Sequence, residues 1–430
     1  MSNWVDQARE AVTENNWAQL VECLQEQVQR QPIAEMTEAE IAALIDFGLS
    51  VLELGDFQER WEIAKVFPVL GGAMIAPLTA LIHNEQAPVE SRWFAARILG
   101  SLNDSTAIQV LATLLQEEDE ELSAIAADAL ANLGAVTIPV LASLLEQEDT
   151  RFLAVQVLAQ IHHSDVISPL MTVLQDPQPA TRILAIEALR MFPSPHIATA
   201  LVPALKDPVA SVRRAAISSL GSYPNLATEL SLVDRLAESL WDINLGVCQQ
   251  AALALGRLGL DTGIPPLVRV LRSPHSPAAL QRDSIRALGW IGSRTALMAL
   301  QNLLLDNSSD YPIEVYQDMV ETLGHWPDPT LQALATQGLL ESLSSVNLIQ
   351  NHPQLRQAIA LLLGHLKQPQ ALDPLIQLLA DQDDRVRLHA IAALKTLDAP
   401  TAYERLIGLQ ASQDVPQDLR QGVAIALQEW

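Results

Sequence analysis

The chain has 430 residues, of which 49% are hydrophobic but only 4% aromatic, so its apolar mass is mostly Leu, Ala, Ile and Val. Leu and Ala are strong helix formers, and an aromatic-poor core suits helices packed at close range better than sheets. With 26 basic against 51 acidic residues and a net charge of −25, the surface repels phosphate backbones and anionic lipid, which sets nucleic acid and membrane surfaces aside as default partners.

The opening segment MSNWVDQAREAV has neither a basic nor an apolar leader region, so no signal peptide is expected. Residues 1–60 hold 12 acidic against 3 basic residues. NNWAQLVECLQEQVQRQ and TEAEIAALIDFGLSVLELGD read as amphipathic helices, the second opened by Thr37 with Glu40 three residues on, the pattern of a capping box. Residues 1–61 are therefore expected to form an acidic helical cap. The only cysteines, Cys23 and Cys248, supply neither a disulfide framework nor zinc spacing, so a reducing, cytoplasmic location is expected.

Val66 to Ile82 carries no charge over 17 residues but contains Pro68, Gly71, Gly72 and Pro77. That length is at the short limit for a spanning helix. A buried helix is expected there, with no integral membrane segment.

From this point one motif recurs. An Ala-x-x-x-Leu pair appears as Ala95/Leu99, Ala126/Leu130, Ala154/Leu158, Ala185/Leu189, Ala216/Leu220, Ala251/Leu255 and Ala390/Leu394. Looser copies are Ser284/Leu288, Met319/Leu323, Ile359/Leu363 and Val423/Leu427, making eleven with leucine intervals of 28 to 40 residues. Each copy follows a second helical pattern that ends in a polar turn, as in ISPLMTVLQDPQP, ATALVPALKDPVA and LDPLIQLLADQDD. The unit is thus helix, short turn, helix, and stacked units share one continuous apolar core. The stretch between Asp306 and Pro353 is less regular, with DNSSDYP and SSVNLIQNHP as long loops.

Three residues before the core position stands an arginine in seven copies: Arg92, Arg151, Arg182, Arg213, Arg356, Arg387 and Arg420. Asp176, Asp207 and Asp383 precede some of them in the turn. A guanidinium at the start of the second helix reaches turn carboxylates and carbonyls of its own or the neighbouring unit. Recurrence at one fixed slot predicts a structural column.

DPVASVRRAAISSLG and QDDRVRLHAIAALKTL resemble HEAT repeats, with their Asp-Pro turn, Val-Arg pair and Ala-Leu-Gly helix. The resemblance covers residues 62–430 and implies an all-α, right-handed α-solenoid of about eleven HEAT-like helical hairpins behind the N-terminal cap. Units near 31 residues, rich in Ala-Leu-Gly, look most like those of phycobilisome lyase-type proteins, and ERWEIAKVFPVLGG and SRWFAARILGSL give a cyanobacterial impression.

In HEAT-like arrays the second helices line the concave face. Positions two before and two after the core residue point away from the inner layer, which selects Trp93 and Arg97, Phe152 and Gln156, Glu187, Arg214 and Ser218, Arg282 and Arg286, and Gln317 and Glu321. Residues 182–286 hold 11 basic against 8 acidic residues, so the middle of this acidic chain is slightly basic and suits a partner of matching charge.

No phosphate loop, dinucleotide fingerprint or nucleophile elbow is present. The adjacent His162 and His163 point apart on a helix, and the run Glu117–Glu121 suits a solvated helix start, so neither a catalytic residue nor a metal ligand is assigned. The expected function is a protein-binding scaffold or assembly chaperone. The resemblance implies phycobiliproteins or photosynthetic assembly components as partners. The alternative it implies is a bilin lyase-type enzyme, with no cofactor but a bilin as bound substrate, held by Arg214, Arg282 or Arg286 and stacked on Trp93.

Overall fold

The computed structural model describes residues 3–117, 119–308, 311–412 and 414–430. No strand occurs among them, and the chain is an all-α solenoid of helical hairpins. It divides into two compact units, Met1–Pro193 and Ser194–Trp430.

The first unit opens with α1 (Asn3–Thr13), α2 (Trp17–Arg30), α3 (Glu38–Leu54) and α4 (Phe57–Ala64). Both α3 and α4 start on capping boxes, Thr37 with Glu40 and Asp56 with Glu59, each satisfying two backbone amides that the first turn leaves open. After α5 (Phe67–Leu70) come the hairpins α6 (Ile75–Ile82) with α7 (Val89–Leu99) and α8 (Ser105–Leu114) with α9 (Glu120–Leu133). They continue as α10 (Ile138–Leu144) with α11 (Glu148–Gln160) and α12 (Ile167–Thr172) with α13 (Pro179–Leu189). The helices α3 and α4 pack against α7 and so cover the first hairpin.

Two stretches, Phe57–Ile82 and Glu120–Leu144, are long and apolar enough to cross a membrane. Neither is one continuous helix. The uncharged stretch from Val66 turns at Gly71, whose φ of 56° lies in the left-handed region, and only Ile75–Ile82 forms the buried repeat helix. The other stretch breaks at Gly134, where φ is 70°.

In the second unit the hairpins are α14 (Pro195–Leu201) with α15 (Ala210–Leu220), α16 (Leu232–Ser239) with α17 (Leu245–Leu258), and α18 (Ile264–Arg272) with α19 (Ala278–Ile291). Next come α20 (Arg294–Leu304) with α21 (Ile313–Gly324), then α22 (Gln332–Ser345) and the short α23 (Asn347–Asn351) with α24 (Pro353–Leu366). The last are α25 (Leu372–Gln377), α26 (Asp384–Ala411) and α27 (Gln417–Gln428). Asp398 interrupts α26 with non-helical backbone two residues before Pro400. Its first half therefore closes one hairpin and its second half opens the last.

The core residues of the eleven copies are buried throughout, except Leu427, which is half-buried. Glycine in the last turn of a second helix marks where the next second helix comes closest. A Cβ on Gly221 would stand 2.8 Å from the Cβ of Ala254, and one on Gly364 would stand 2.8 Å from the Cα of Ala393. This close approach is the physical content of the Ala-Leu-Gly signature.

The arginine slot runs along the same helices. Five of the seven donate to the carbonyl six residues earlier: Arg151 to Leu145 at 2.6 Å, and Arg182, Arg213 and Arg387 to Asp176, Asp207 and Asp381 at 2.7 Å, with Arg356 bonded to Gln350. Arg92 donates to Ile82 at 2.8 Å and Arg420 to Val415 at 3.3 Å. Several also reach the carboxylate of the following turn, among them Arg92 to Asp119 at 3.3 Å, Arg151 to Asp176 at 2.8 Å, Arg213 to Asp242 at 2.7 Å and Arg356 to Asp381 at 2.7 Å. Each such arginine ties one hairpin to the next. Arg60, three residues before the buried Ile63, makes the same kind of contact with the Leu52 and Glu53 carbonyls at 2.8 and 3.2 Å. Its unit lacks the Ala-Leu-Gly signature, which hides it in the sequence. In α17 the slot holds Cys248, whose thiol donates to the Asp242 carbonyl six residues back at 3.1 Å.

Candidate binding faces on the second helices

Two positions before each core residue, the side chain projects from the stacked second helices. In the first unit this row reads Trp93, Ala124, Phe152 and Ile183, all at least partly exposed on α7, α9, α11 and α13. Two positions after the core, the row reads Arg97, Asp128, Gln156 and Glu187, all exposed. An apolar row thus runs beside a polar one.

The apolar row ends in an aromatic cluster that the repeat register did not reveal. Arg97 lies over the Trp61 ring at 4.7 Å and the Trp93 ring at 5.4 Å. Phe57 stacks on Trp61 with centroids 6.4 Å apart, and both Phe57 and Trp93 meet the buried Phe94 edge-on, at 5.5 and 4.9 Å. Phe57 and the neighbouring Leu54 are each 63% exposed. Trp93 and Arg97 also wall an open cleft of about 280 Å³ with Ser101, Ile125, Asp128 and Asn132. Gln156 lies at the edge of a wider hollow of about 780 Å³ rimmed by Glu117, Glu120 and Asp149. Within the acidic run, Asp119 caps α9 and pairs with Arg92; Glu118 lies outside the described residues.

The second unit presents a different row: Arg214, Gln249, Arg282, Gln317, Gln357, Leu388 and Gln421. Arg282 donates to both oxygens of Asp318 at 2.7 and 3.2 Å, and these bonds hold its guanidinium still more firmly protonated. Asp283 accepts from Arg286 at 2.9 Å and from Gln249 at 2.7 Å. Arg214 is exposed and makes no hydrogen bond or ion pair among the described residues. Ser218 and Gln317 are half-buried beside it and further along, and Glu321 is exposed. The structure therefore brings Arg282, Arg286, Asp283 and Asp318 together across α19 and α21, and leaves Arg214 unpaired.

A further exposed patch in this unit lies on the turn before α17. Trp241 and Leu245 are 44% and 39% exposed, and Ile243 is wholly exposed. Arg269 covers the Trp241 ring at 4.7 Å. The sequence signal was present: Pro177 and Pro208 follow the turn aspartate where this unit has Ile243.

Burial alone would push the Asp242 carboxyl up, but hydrogen bonds from Arg213 and the Asn244 amide hold it below the ordinary carboxylate value. Burial pushes the Cys248 thiol up, so it stays protonated and unreactive at neutral pH. Among the described residues, no group of three His, Cys, Asp or Glu side chains gathers to hold a metal ion.

Among solved structures, an engineered protein is 20% identical, with 83% of this chain and 98% of that one covered at a TM-score of 0.36. Importin beta is 14% identical over 97% of this chain and 63% of its own, with a TM-score of 0.48. The karyopherin Kap121p is 15% identical over 95% of this chain and 53% of its own, at 0.45. The chain thus spans less than two thirds of importin beta and of Kap121p. No curated protein sequence matches it. The sequence profile described as HEAT repeats matches residues 75–153, 138–221, 233–315 and 336–428. With most of its length inside that profile and every match built from stacked hairpins, the chain belongs to the HEAT-repeat family.

Proposed function

We propose that this protein is a binding scaffold that holds a protein partner on the exposed face of its second helices. The observation that carries the reading is the cluster of Phe57, Trp61 and Trp93 around Arg97, in which Phe57 and Trp61 stack, Arg97 lies over both tryptophans, and all three rings stay at least partly exposed. Aromatic and arginine side chains dominate the energy of protein interfaces, and a contiguous exposed apolar patch is rare on a surface with no partner. The apolar row Ala124, Phe152 and Ile183 extends the anchor along three more helices.

The cleft beside Trp93 holds about 280 Å³, below the range of about 300–1,000 Å³ that encloses small ligands. That size suits one inserted side chain better than an enclosed tetrapyrrole, and so supports a scaffold or assembly chaperone over a bilin lyase. Phycobiliproteins enter as the partner class through the sequence resemblance alone.

Affinity measurements with purified phycobiliprotein subunits, with and without bilin, test both levels. A complex weakened at least about tenfold by Trp61→Ala/Trp93→Ala supports the anchor and the partner class together. A red-shifted bilin band with the isolated chain would favour the lyase. Binding that ignores both tryptophans would sink the anchor.

A further inference from the structure

Three neighbouring second helices of the second unit stand apart in charge. Helices α15 and α17 carry Arg213, Arg214 and Arg257 and no acidic residue, while α19 adds Arg282 and Arg286 against the single acid Asp283. The three helices pack side by side in that order. Arg213 is taken up by Asp242, but Arg214, Arg257, Arg282 and Arg286 all reach the surface. With Asp242 on Arg213 and Asp318 on Arg282 as well as Asp283, five arginines face three carboxylates, a local positive excess within a chain of 51 acidic and 26 basic residues.

Arg214 is the clearest case. Its Cδ lies 3.5 Å from the point where a Cβ on Gly246 would stand, so it rests on the first turn of α17. That end of a helix carries the positive pole of the dipole and favours anions, not cations. The protein places there a guanidinium that makes no hydrogen bond or ion pair among the described residues, while Asp242 at the same helix start is taken up by Arg213 and the Asn244 amide. Arg286 commits only Nη1 to Asp283, leaving other donors of its fork unused. One turn further along α19, Trp290 is 49% exposed.

We propose that this face docks an acidic polypeptide segment, with carboxylates on Arg214 and Arg286 and an apolar side chain on Trp290. Arginine forks match carboxylates in geometry as well as charge. A short acidic segment meets only the local positive field, whereas a nucleic acid strand also meets the surrounding surface of a chain of charge −25, which repels a long polyanion. The site uses no residue of the first unit and stands independently of the aromatic anchor.

The test is fluorescence anisotropy of the whole chain with a short labelled glutamate-rich peptide carrying one phenylalanine, at low and moderate salt. Binding is expected to weaken about tenfold in Arg214→Gln/Arg286→Gln and to fall with salt. It should be unchanged in Trp61→Ala/Trp93→Ala. Arg214→Gln alone, which touches no internal pair, guards against a folding defect in the double variant and should show part of the loss. The proposal is overturned by no binding, by binding indifferent to Arg214→Gln and to the double variant, or by equal competition by a single-stranded oligonucleotide of the same charge. Loss of peptide binding in the tryptophan variant instead would move the acidic segment to the first unit and also overturn it.

Discussion

Arg213 and Arg214 are adjacent in sequence and opposite in circumstance. The Arg213 side chain is 11% exposed and its partner Asp242 14%, so removing the guanidinium leaves a largely buried carboxylate without its main donor. Arg213→Ala is expected to cost about 2–4 kcal/mol in urea unfolding, and Arg214→Gln less than about 0.5 kcal/mol. The reverse order would show that the register of the arginine slot is wrong. The Asp242 pair also carries a pH dependence of fixed sign. Its folded carboxyl is held below the unfolded value, which for aspartate is about 3.9. The stabilisation is therefore fully present above that value and is lost as pH falls through the lower folded pKa. The stability gap between the natural chain and Asp242→Asn should be widest near neutrality and close in acid; a gap that widens in acid would refute the assignment. The slot itself was readable from spacing, since seven arginines repeat at one register. The sequence narrowed the partner of Arg213 only to a turn carboxylate of its own or the neighbouring unit; that the partner is Asp242, 29 residues along the chain, is set by how the hairpins stack.

At the scale of the helix, the hairpins were legible because two signals coincide: apolar spacing near 3.6 residues and a polar Asp-containing turn. The reading weakened where one signal failed. Nothing around Asp398 announces that α26 holds parts of two hairpins beyond the nearby Pro400. Of the two loops expected between Asp306 and Pro353, DNSSDYP is non-helical over its described residues, whereas most of SSVNLIQNHP is helical, as the end of α22 and as α23, where the Asn307 side chain accepts from the Asn347 amide at 3.2 Å. Phe57 and Trp61 were missed as partners of Trp93 because α4 precedes the first recognisable unit. Close packing of second helices makes a sharper claim. Since a Cβ on Gly364 already falls 2.8 Å from the backbone of Ala393, Gly364→Val must force α24 and α26 apart. A loss of about 1–3 kcal/mol is expected, read as a lower urea midpoint with an unchanged slope. Val at Gly408, where nothing lies within 4 Å of the added carbon, serves as the control and should cost less than about 1 kcal/mol.

For the whole molecule, salt should act with opposite signs on stability and on recognition. The chain carries a net charge of −25, and like charges spread over a surface oppose the compact state. Raising ionic strength shortens the Debye length from about 30 Å at 0.01 M to about 8 Å at 0.15 M, which relieves repulsion between hairpins more than it weakens pairs such as Arg213 with Asp242, held at 2.7 Å and mostly out of solvent. The melting temperature should therefore rise by a few degrees between those conditions. Attraction of an acidic segment to Arg214 and Arg286 is exposed and works between surfaces, so the same salt should weaken it. Anchoring at Trp61 and Trp93 rests on apolar area and should change little. Calorimetry and binding measured across one salt series thus separate three contributions in a single chain. A melting temperature that falls with salt would mean that surface pairs such as Arg405 with Asp373 at 3.4 Å outweigh the net repulsion, and that the acidic surface stabilises the array through its pairs.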